Sequence, residues 1–230
     1  MISRWYGSNL TICSQDRRGP VVYEFDEILE EVTSPFQKIR VARHRTLGKT
    51  LIVGDDVMSN AADTAYDQAM VSLLPNREGL RVLIMGGGDG SLAAMLSGHH
   101  KIKSVTSCEL DPQVIEVCNR HFPVHLNGFA GRTKTVIGDA FEHIKNHAND
   151  YDVIFDDMTV EPNGADEDYR IRIASSFRGK WIISQTGEHG SCLAAKVMMS
   201  LQSIPADFCR ICRYVESFET VWTFTTYKLG

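Results

Sequence analysis

The sequence predicts an α/β fold, a Rossmann-like parallel sheet behind a small N-terminal β domain. Three observations predict it. Residues 81–85 (RVLIM) form a continuous apolar run that enters the glycine cluster Gly86-Gly87-Gly88-Asp89-Gly90. From there on, short apolar runs alternate with helix-like segments, the rhythm of a parallel sheet with right-handed crossovers. Before Pro75 the pattern is instead that of short, β-branched strands.

Taken in order, residues 21–25, 37–43 and 50–53 read as strands, the last two joined by a Leu47-Gly48-Lys49 turn. Within 38–43, Ile39 and Val41 alternate with Lys38 and Arg40, as on a half-exposed antiparallel strand. Residues 63–74 change period: Ala65, Ala69, Met70 and Leu73 recur at helical spacing. PNREGL (75–80) punctuates the chain, dividing it into an N-terminal β domain with a linking helix (1–76) and a catalytic domain (77–230). Strands are then expected at 81–85, 104–108, 133–137, 151–155 and 181–184. Helices are expected at 91–97, 112–120, 140–148 and 191–203, and 221–227 closes the chain as a strand.

At 230 residues the chain is long enough to bury a full core. No apolar run approaches the roughly 18 residues of a membrane span, and residues 1–10 lack the apolar stretch of a signal peptide. A cytoplasmic location is expected. A net charge of −5, with no basic stretch, argues against a nucleic-acid partner. The six cysteines are scattered, and the one close pair, Cys209 and Cys212, has no second pair or histidine cluster beside it in sequence. No metal site is expected.

The chemistry concentrates at the ends of the predicted parallel strands. Gly86, Gly88 and Gly90 permit positive φ and a close approach of backbone to a nucleotide. Glu109 ends the next strand, 20 residues after Asp89, where an acid can take both ribose hydroxyls. Asp139 ends the strand after that and can accept from an adenine amine, with Ala140 and neighbouring apolar groups flanking the ring. Together they predict a methyltransferase-like site for an S-adenosyl-type nucleoside. Each acid alone is also a natural helix cap or solvated loop residue. The fourth strand delivers Asp156-Asp157, and alternation lets only one of them face the pocket; Asp157 is the better placed. A methyl donor with its own carboxylate gains little from Asp89. A ligand cationic beyond its sulfur would be held by Asp89 and Asp157 together.

These residues, in this order, resemble the aminopropyltransferases, the spermidine and spermine synthase family, from about residue 22 to residue 224. Thr33-Ser34-Pro35-Phe36-Gln37 is similar to a family segment whose Gln touches the nucleoside. Residues 48–66 resemble its hairpin and acidic-to-Tyr segment, which maps the amine-lining Tyr onto Tyr66. GGGDG with Glu109 and Asp111 resembles the family's donor-binding set, Gly138-Asp139 its adenine step, and Gln185 its Gln after the next strand. Asp157 falls where the family's catalytic carboxylate is expected.

The resemblance implies transfer of the aminopropyl group of decarboxylated S-adenosylmethionine to putrescine or spermidine, with methylthioadenosine released. Decarboxylated S-adenosylmethionine is then a co-substrate, and no bound cofactor is needed. A homodimer or homotetramer assembled through the β domain is also implied. Two other functions stay open: a small-molecule methyltransferase, and a catalytically silent relative that binds nucleoside or a partner subunit. The departures lie on the amine side. Asp157-Met158-Thr159-Val160 lacks the second acid of many spermidine synthases, Met58 stands where a Gln is frequent, and 163–179 is short and charged.

Overall fold

The computed structural model describes residues 2–6, 9–16, 19–123, 131–158, 173, 176–190 and 206–229. Two sheets organise them. The first is a six-stranded antiparallel meander of β1 (Ile2–Tyr6), β2 (Asn9–Asp16), β3 (Gly19–Thr33), β4 (Lys38–His44), β5 (Gly48–Val53) and β6 (Asp56–Asn60). It is larger than the three strands expected. The acidic run 26–31 hides β3 from a simple alternation rule, and two irregularities in its pairing with β4 reset the pleat. Across that pairing Glu31 meets Lys38 at 2.8 Å and Arg40 at 3.1 Å, and Glu27 meets Arg43 at 3.3 Å.

β4 corrects the expectation of a half-exposed strand. Ile39, Arg40, Val41 and Ala42 are all buried, because the sheet is covered on both faces. On one face Ile39, Val41 and Leu51 pack with Val114, Val117, Cys118 and Phe122 of a helix from the second half of the chain. On the other, Tyr23, Phe25, Ala42 and Ile52 form a cluster that Phe218 closes. The Arg40 guanidinium survives burial by donating to Glu31 and to the Gly54 carbonyl.

The second sheet runs β12-β13-β11-β10-β7-β8-β9. Its strands are β7 (Leu80–Gly86), β8 (Ile102–Glu109), β9 (Thr133–Ile137), β10 (Val153–Asp157), β11 (Trp181–Glu188), β12 (Ala206–Val215) and β13 (Thr220–Leu229). β9, β8, β7, β10 and β11 are parallel, and β13 lies antiparallel between β11 and β12. This is the methyltransferase-like arrangement. β10 starts and ends two residues later than the sequence suggested, so its last residue, Asp157, lies opposite Gly86.

Helices α1 (Ala65–Ser72), α2 (Ser91–Ser97), α3 (Pro112–His121) and α4 (Ala140–His147) accompany the sheets. α1 is shorter than the 63–74 expected, because the Asp63 side chain accepts from the Ala65 and Ser217 backbone N–H groups and turns the chain before the helix. α1 and α2 bury Ala69, Met70, Leu92 and Leu96 on one face of the sheet, and α4 buries Ala140 and Ile144 on the other. The helix expected at 191–203 lies outside the described residues. Among the described residues, no helix is long and apolar enough to cross a membrane.

Candidate functional site

The strand order reverses at β7, which has β8 on one side and β10 on the other. Open α/β sheets bind ligands in the crevice at such a point, beyond the carboxyl ends of the strands. Gly86, Glu109 and Asp157 end three neighbouring strands there.

The glycine turn is shaped by its neighbours. Gly86 has φ +88°, and a Cβ on it would lie 2.8 Å from the Asp157 carbonyl oxygen, so glycine is required by both conformation and space. At Gly88 a Cβ would come within 2.7 Å of the Glu109 side chain. That closeness is used: the Gly88 N–H donates to Glu109 Oε2 at 3.0 Å, and the Asp111 N–H donates to Oε1 at 2.9 Å. Burial raises the Glu109 pKa, and these backbone donors oppose the rise. Glu109 is thereby fixed at the end of β8.

Asp111 and Asp139 turn out to cap helices. Asp139 Oδ1 accepts from the Phe141 N–H at the start of α4, and its side chain lies at the surface. Leu110 and Ile137, both well exposed, stand at the ends of the same two strands, β8 and β9, as an apolar rim. Ala140, expected beside the adenine, is 7% exposed and packs into the core under α4.

Asp111 is buried and has both oxygens engaged. Oδ1 accepts from the Gln113 N–H, and Oδ2 accepts from Ser34 Oγ at 2.7 Å and Gln37 Nε2 at 3.0 Å. It holds the 34–37 turn against the start of α3. The Gln37 backbone carbonyl closes that turn by accepting from the Ser34 N–H at 2.9 Å. Asp111→Ala is expected to cost about 2 kcal/mol, from one cap and two side-chain hydrogen bonds, as read by urea unfolding.

The other side of the site is built on α1. Tyr66 donates its phenol proton to Asp157 Oδ1 at 2.9 Å. Its ring stands edge-on to Phe224 and Phe218, with centroids 5.1 and 6.1 Å away. Burial, followed by the charge of Asp157, raises the phenol's pKa well above its usual value, so it stays a donor. Asp157 is itself raised, first by burial and then by the charges of Asp89 and Asp67, while the Tyr66 bond opposes the rise. Asp156, on the opposite side of β10, is fully buried.

Asp67, the next residue on α1, belongs to none of the motifs that mark the site in the sequence. It is buried, and it accepts a short hydrogen bond from Ser91 Oγ at the start of α2. The Ser91 N–H in turn donates to Asp89 Oδ1 at 3.2 Å. Burial first, then the charge of Asp89, pushes the Asp67 carboxyl up to about 7. No ion pair joins Asp67, Asp89 or Asp157 to a Lys or Arg among the described residues.

Gln185 lies within β11, which runs on past the 181–184 expected. Its Nε2 donates to the Met158 carbonyl at 3.0 Å, and its Oε1 accepts from the Gly187 N–H and Trp222 Nε1. It pins the chain just after Asp157. Val160, and the segment 163–179 apart from Ile173 and residues 176–179, lie outside the described residues.

Glu109 and the carboxylates of Asp67, Asp89 and Asp157 thus gather at the switch point of the sheet. The family model described as the spermine/spermidine synthase domain matches residues 66–203. The chain belongs to the spermine/spermidine synthase family. Similar relatives are named polyamine aminopropyltransferase. That of Clostridium tetani is 27% identical over 165 residues, covering 70% of this chain and 57% of its own length. That of Desulforudis audaxviator is 29% identical over 143 residues, covering 60% and 52%. That of Streptococcus uberis is 34% identical over 140 residues, covering 58% and 48%. The matched part is thus about half of each relative's length.

The fold is shared over a longer stretch. The crystal structure of spermidine synthase from Thermotoga maritima superposes with a TM-score of 0.80 at 19% identity, covering 96% of this chain and 78% of that one. A spermidine synthase in complex with the transition state analogue AdoDATO gives 0.82 at 19% identity, covering 96% and 80%. Within this family fold, the two-sheet arrangement brings the N-terminal 34–37 turn, through Asp111, to the end of β8.

Proposed function

We propose that this chain transfers the aminopropyl group of decarboxylated S-adenosylmethionine to an amine acceptor, putrescine or spermidine, and releases methylthioadenosine. The observation that carries this is the Tyr66–Asp157 hydrogen bond, set next to the acidic Asp67–Ser91–Asp89 chain and close to the fixed Glu109. A donor with a sulfonium, an ammonium and no carboxylate suits that charge distribution. The relatives' name, polyamine aminopropyltransferase, and the AdoDATO complex of a structural neighbour support it.

Each residue then has a task. Glu109 accepts from the ribose hydroxyls, Gln37 and Asp139 approach the nucleoside from its rim, and Asp89 holds the donor's ammonium through a charge-assisted bond. The acceptor arrives protonated, because its amine pKa is near that of lysine, about 10. Asp157, steadied at Oδ1 by Tyr66, takes one proton from the nitrogen. The freed lone pair forms a bond to the carbon beside the sulfonium, and the carbon–sulfur pair returns to sulfur. Because the sulfonium loses its charge in this step, positioning contributes more than charge stabilisation. Assembly as a homodimer or homotetramer belongs to the same proposal and is checked by sedimentation.

The test is a mass-spectrometric product assay with decarboxylated S-adenosylmethionine or S-adenosylmethionine against putrescine, spermidine, cadaverine and agmatine. Methylthioadenosine with an aminopropylated amine is expected. S-adenosylhomocysteine would instead identify a methyltransferase, and the absence of both products a silent relative. Within the same reading, Gly88→Ala displaces Glu109 and is expected to weaken methylthioadenosine binding about tenfold, the worth of a charged hydrogen bond, as measured by calorimetry.

A further inference from the structure

We infer that Cys212 and His189 form a thiol modification site: the His189 imidazole takes the proton from the Cys212 thiol, and the sulfur enters a mixed disulfide with a low-molecular-weight disulfide. The site lies outside the machinery of aminopropyl transfer and does not depend on that reading. Cys212 pairs with Thr223 across β12 and β13. The next pair, Ile211 and Phe224, faces the other side of the sheet, where Phe224 meets Tyr66.

Three observations carry it. The fold brings a histidine to Cys212 from 23 residues away in the sequence. Past Gln185 the register of β11 against β13 slips, with Gly187 at φ +91°, so that Glu188 comes opposite Trp222. The His189 N–H then donates to the Val221 carbonyl at 2.7 Å. This irregularity carries the imidazole to the Cys212–Thr223 pair, where Nδ1 lies 3.4 Å from Cys212 Sγ and 3.3 Å from Thr223 Oγ1. Second, Cys212 and His189 are both exposed, and β12 is the edge strand of its sheet, so a reagent in solution can reach the sulfur. Third, the other described thiols lack this combination. Cys108 and Cys118 are buried, and burial raises the pKa of both. Cys209 is exposed on the same strand but meets no histidine among the described residues.

The thiolate is the attacking form of a cysteine, so a base held at the sulfur speeds its reaction. With the ring's own proton on Nε2, Nδ1 accepts the thiol proton as Sγ attacks one sulfur of the incoming disulfide. A new sulfur–sulfur bond forms, the old one breaks, and its electron pair leaves with the second sulfur as a thiolate. Meanwhile the Nδ1–H can donate to Thr223 Oγ1, which steadies the protonated ring. The leaving thiolate then takes that proton and the imidazole is neutral again. The incoming disulfide is reduced as Cys212 is oxidised, so no other oxidant is consumed.

The experiment treats the whole chain with glutathione disulfide at pH 7 and follows the mixed disulfides at Cys212 and Cys209 over time by peptide mass spectrometry. Trypsin, cutting after Arg210, puts the two cysteines on separate peptides. Cys209 is the control within the same molecule, because it shares the strand and the exposure but not the histidine. Cys212 is expected to react about tenfold faster than Cys209, and dithiothreitol to remove the added mass. His189→Gln keeps a polar side chain without a nitrogen that can take the proton. It should bring the rate at Cys212 to within about twofold of that at Cys209, and thermal unfolding checks that the variant is folded. Equal rates at the two cysteines in the unaltered chain, an unchanged ratio in His189→Gln, or an adduct that dithiothreitol does not remove would each overturn the assignment.

Discussion

Replacing Asp157 by asparagine is expected to lower kcat by about a hundred- to ten-thousandfold while donor affinity stays within a few-fold. The substitution is nearly isosteric, and an asparagine carbonyl can still accept the Tyr66 hydroxyl, so the 2.9 Å contact and the α1–β10 junction should persist. What disappears is the proposed proton acceptor. Burial and the charges of Asp89 and Asp67 raise the Asp157 pKa and thus make its carboxylate a stronger base than an exposed one. An amine nitrogen about 10 in pKa is mostly protonated near neutrality and cannot attack until it loses that proton. In the unaltered chain kcat/KM is expected to rise with pH as Asp157 ionises. In Asp157→Asn the remaining activity should follow the acceptor's own ionisation and so rise at higher pH. Tyr66→Phe separates orientation from proton transfer: it removes the hydrogen bond and keeps the base, and a loss of about tenfold is expected. Near-native turnover of Asp157→Asn with unchanged product would remove Asp157 from the role of base.

The fold, and the edge of the sheet at which these residues gather, are legible in the sequence. The apolar strand running into GGGDG, the acid at the end of each following strand and the strand–helix rhythm specify a sheet and one functional edge. The failures have physical reasons. Arg40 reads as a solvated residue because alternation assumes one wet face, and no local pattern reveals that α3 and Phe218 cover opposite faces of the meander. β3 hides behind its acidic run because its bulges move the register, which a fixed period of two does not describe. Asp111 and Asp139 carry a capping signal as well. Asp-Pro-Gln at 111–113 and Asp-Ala-Phe at 139–141 both read as helix starts, and both side chains accept the N–H two residues on. Asp67 carries a signal of its own. Met70 lies three residues further along the same helix and is fully buried, so Asp67 belonged to the inward face and needed a reason to be there.

That inward position has its own consequence: the ligand-free protein is expected to lose stability as the pH rises from 5 to 8. The Asp67 carboxyl, at about 7 in the folded protein against about 4 unfolded, binds its proton more tightly when folded. Its contribution to stability is therefore fully present below the unfolded value and is lost as the pH rises through about 7. Each tenfold difference in proton affinity between the folded and unfolded chain is worth about 1.4 kcal/mol. Asp67 alone then accounts for between about 2 and 3 kcal/mol over this window, and Asp157, raised in the same direction, adds to it. Burial holds the His99 and His143 imidazoles below their usual value, which opposes the fall in the lower part of this window, and the opposing carboxylates act lower still. Glu30, Glu31 and Asp152 are held below their usual values by Arg120, Lys38 and Arg81, so their stabilisation fades only as the pH falls well below 5. Urea unfolding at pH 5, 6, 7 and 8 measures the slope. Asp67→Asn, which keeps an acceptor for Ser91 but has no proton to lose, should flatten most of it and be the more stable protein at pH 8. A cationic donor should act on the unaltered chain in the same direction, because it favours the ionised carboxylates that destabilise the empty site. A stability curve flat from pH 5 to 8, unchanged by Asp67→Asn, would mean that these carboxylates are better solvated than their burial indicates, and the preference for a cationic occupant would lose its energetic basis.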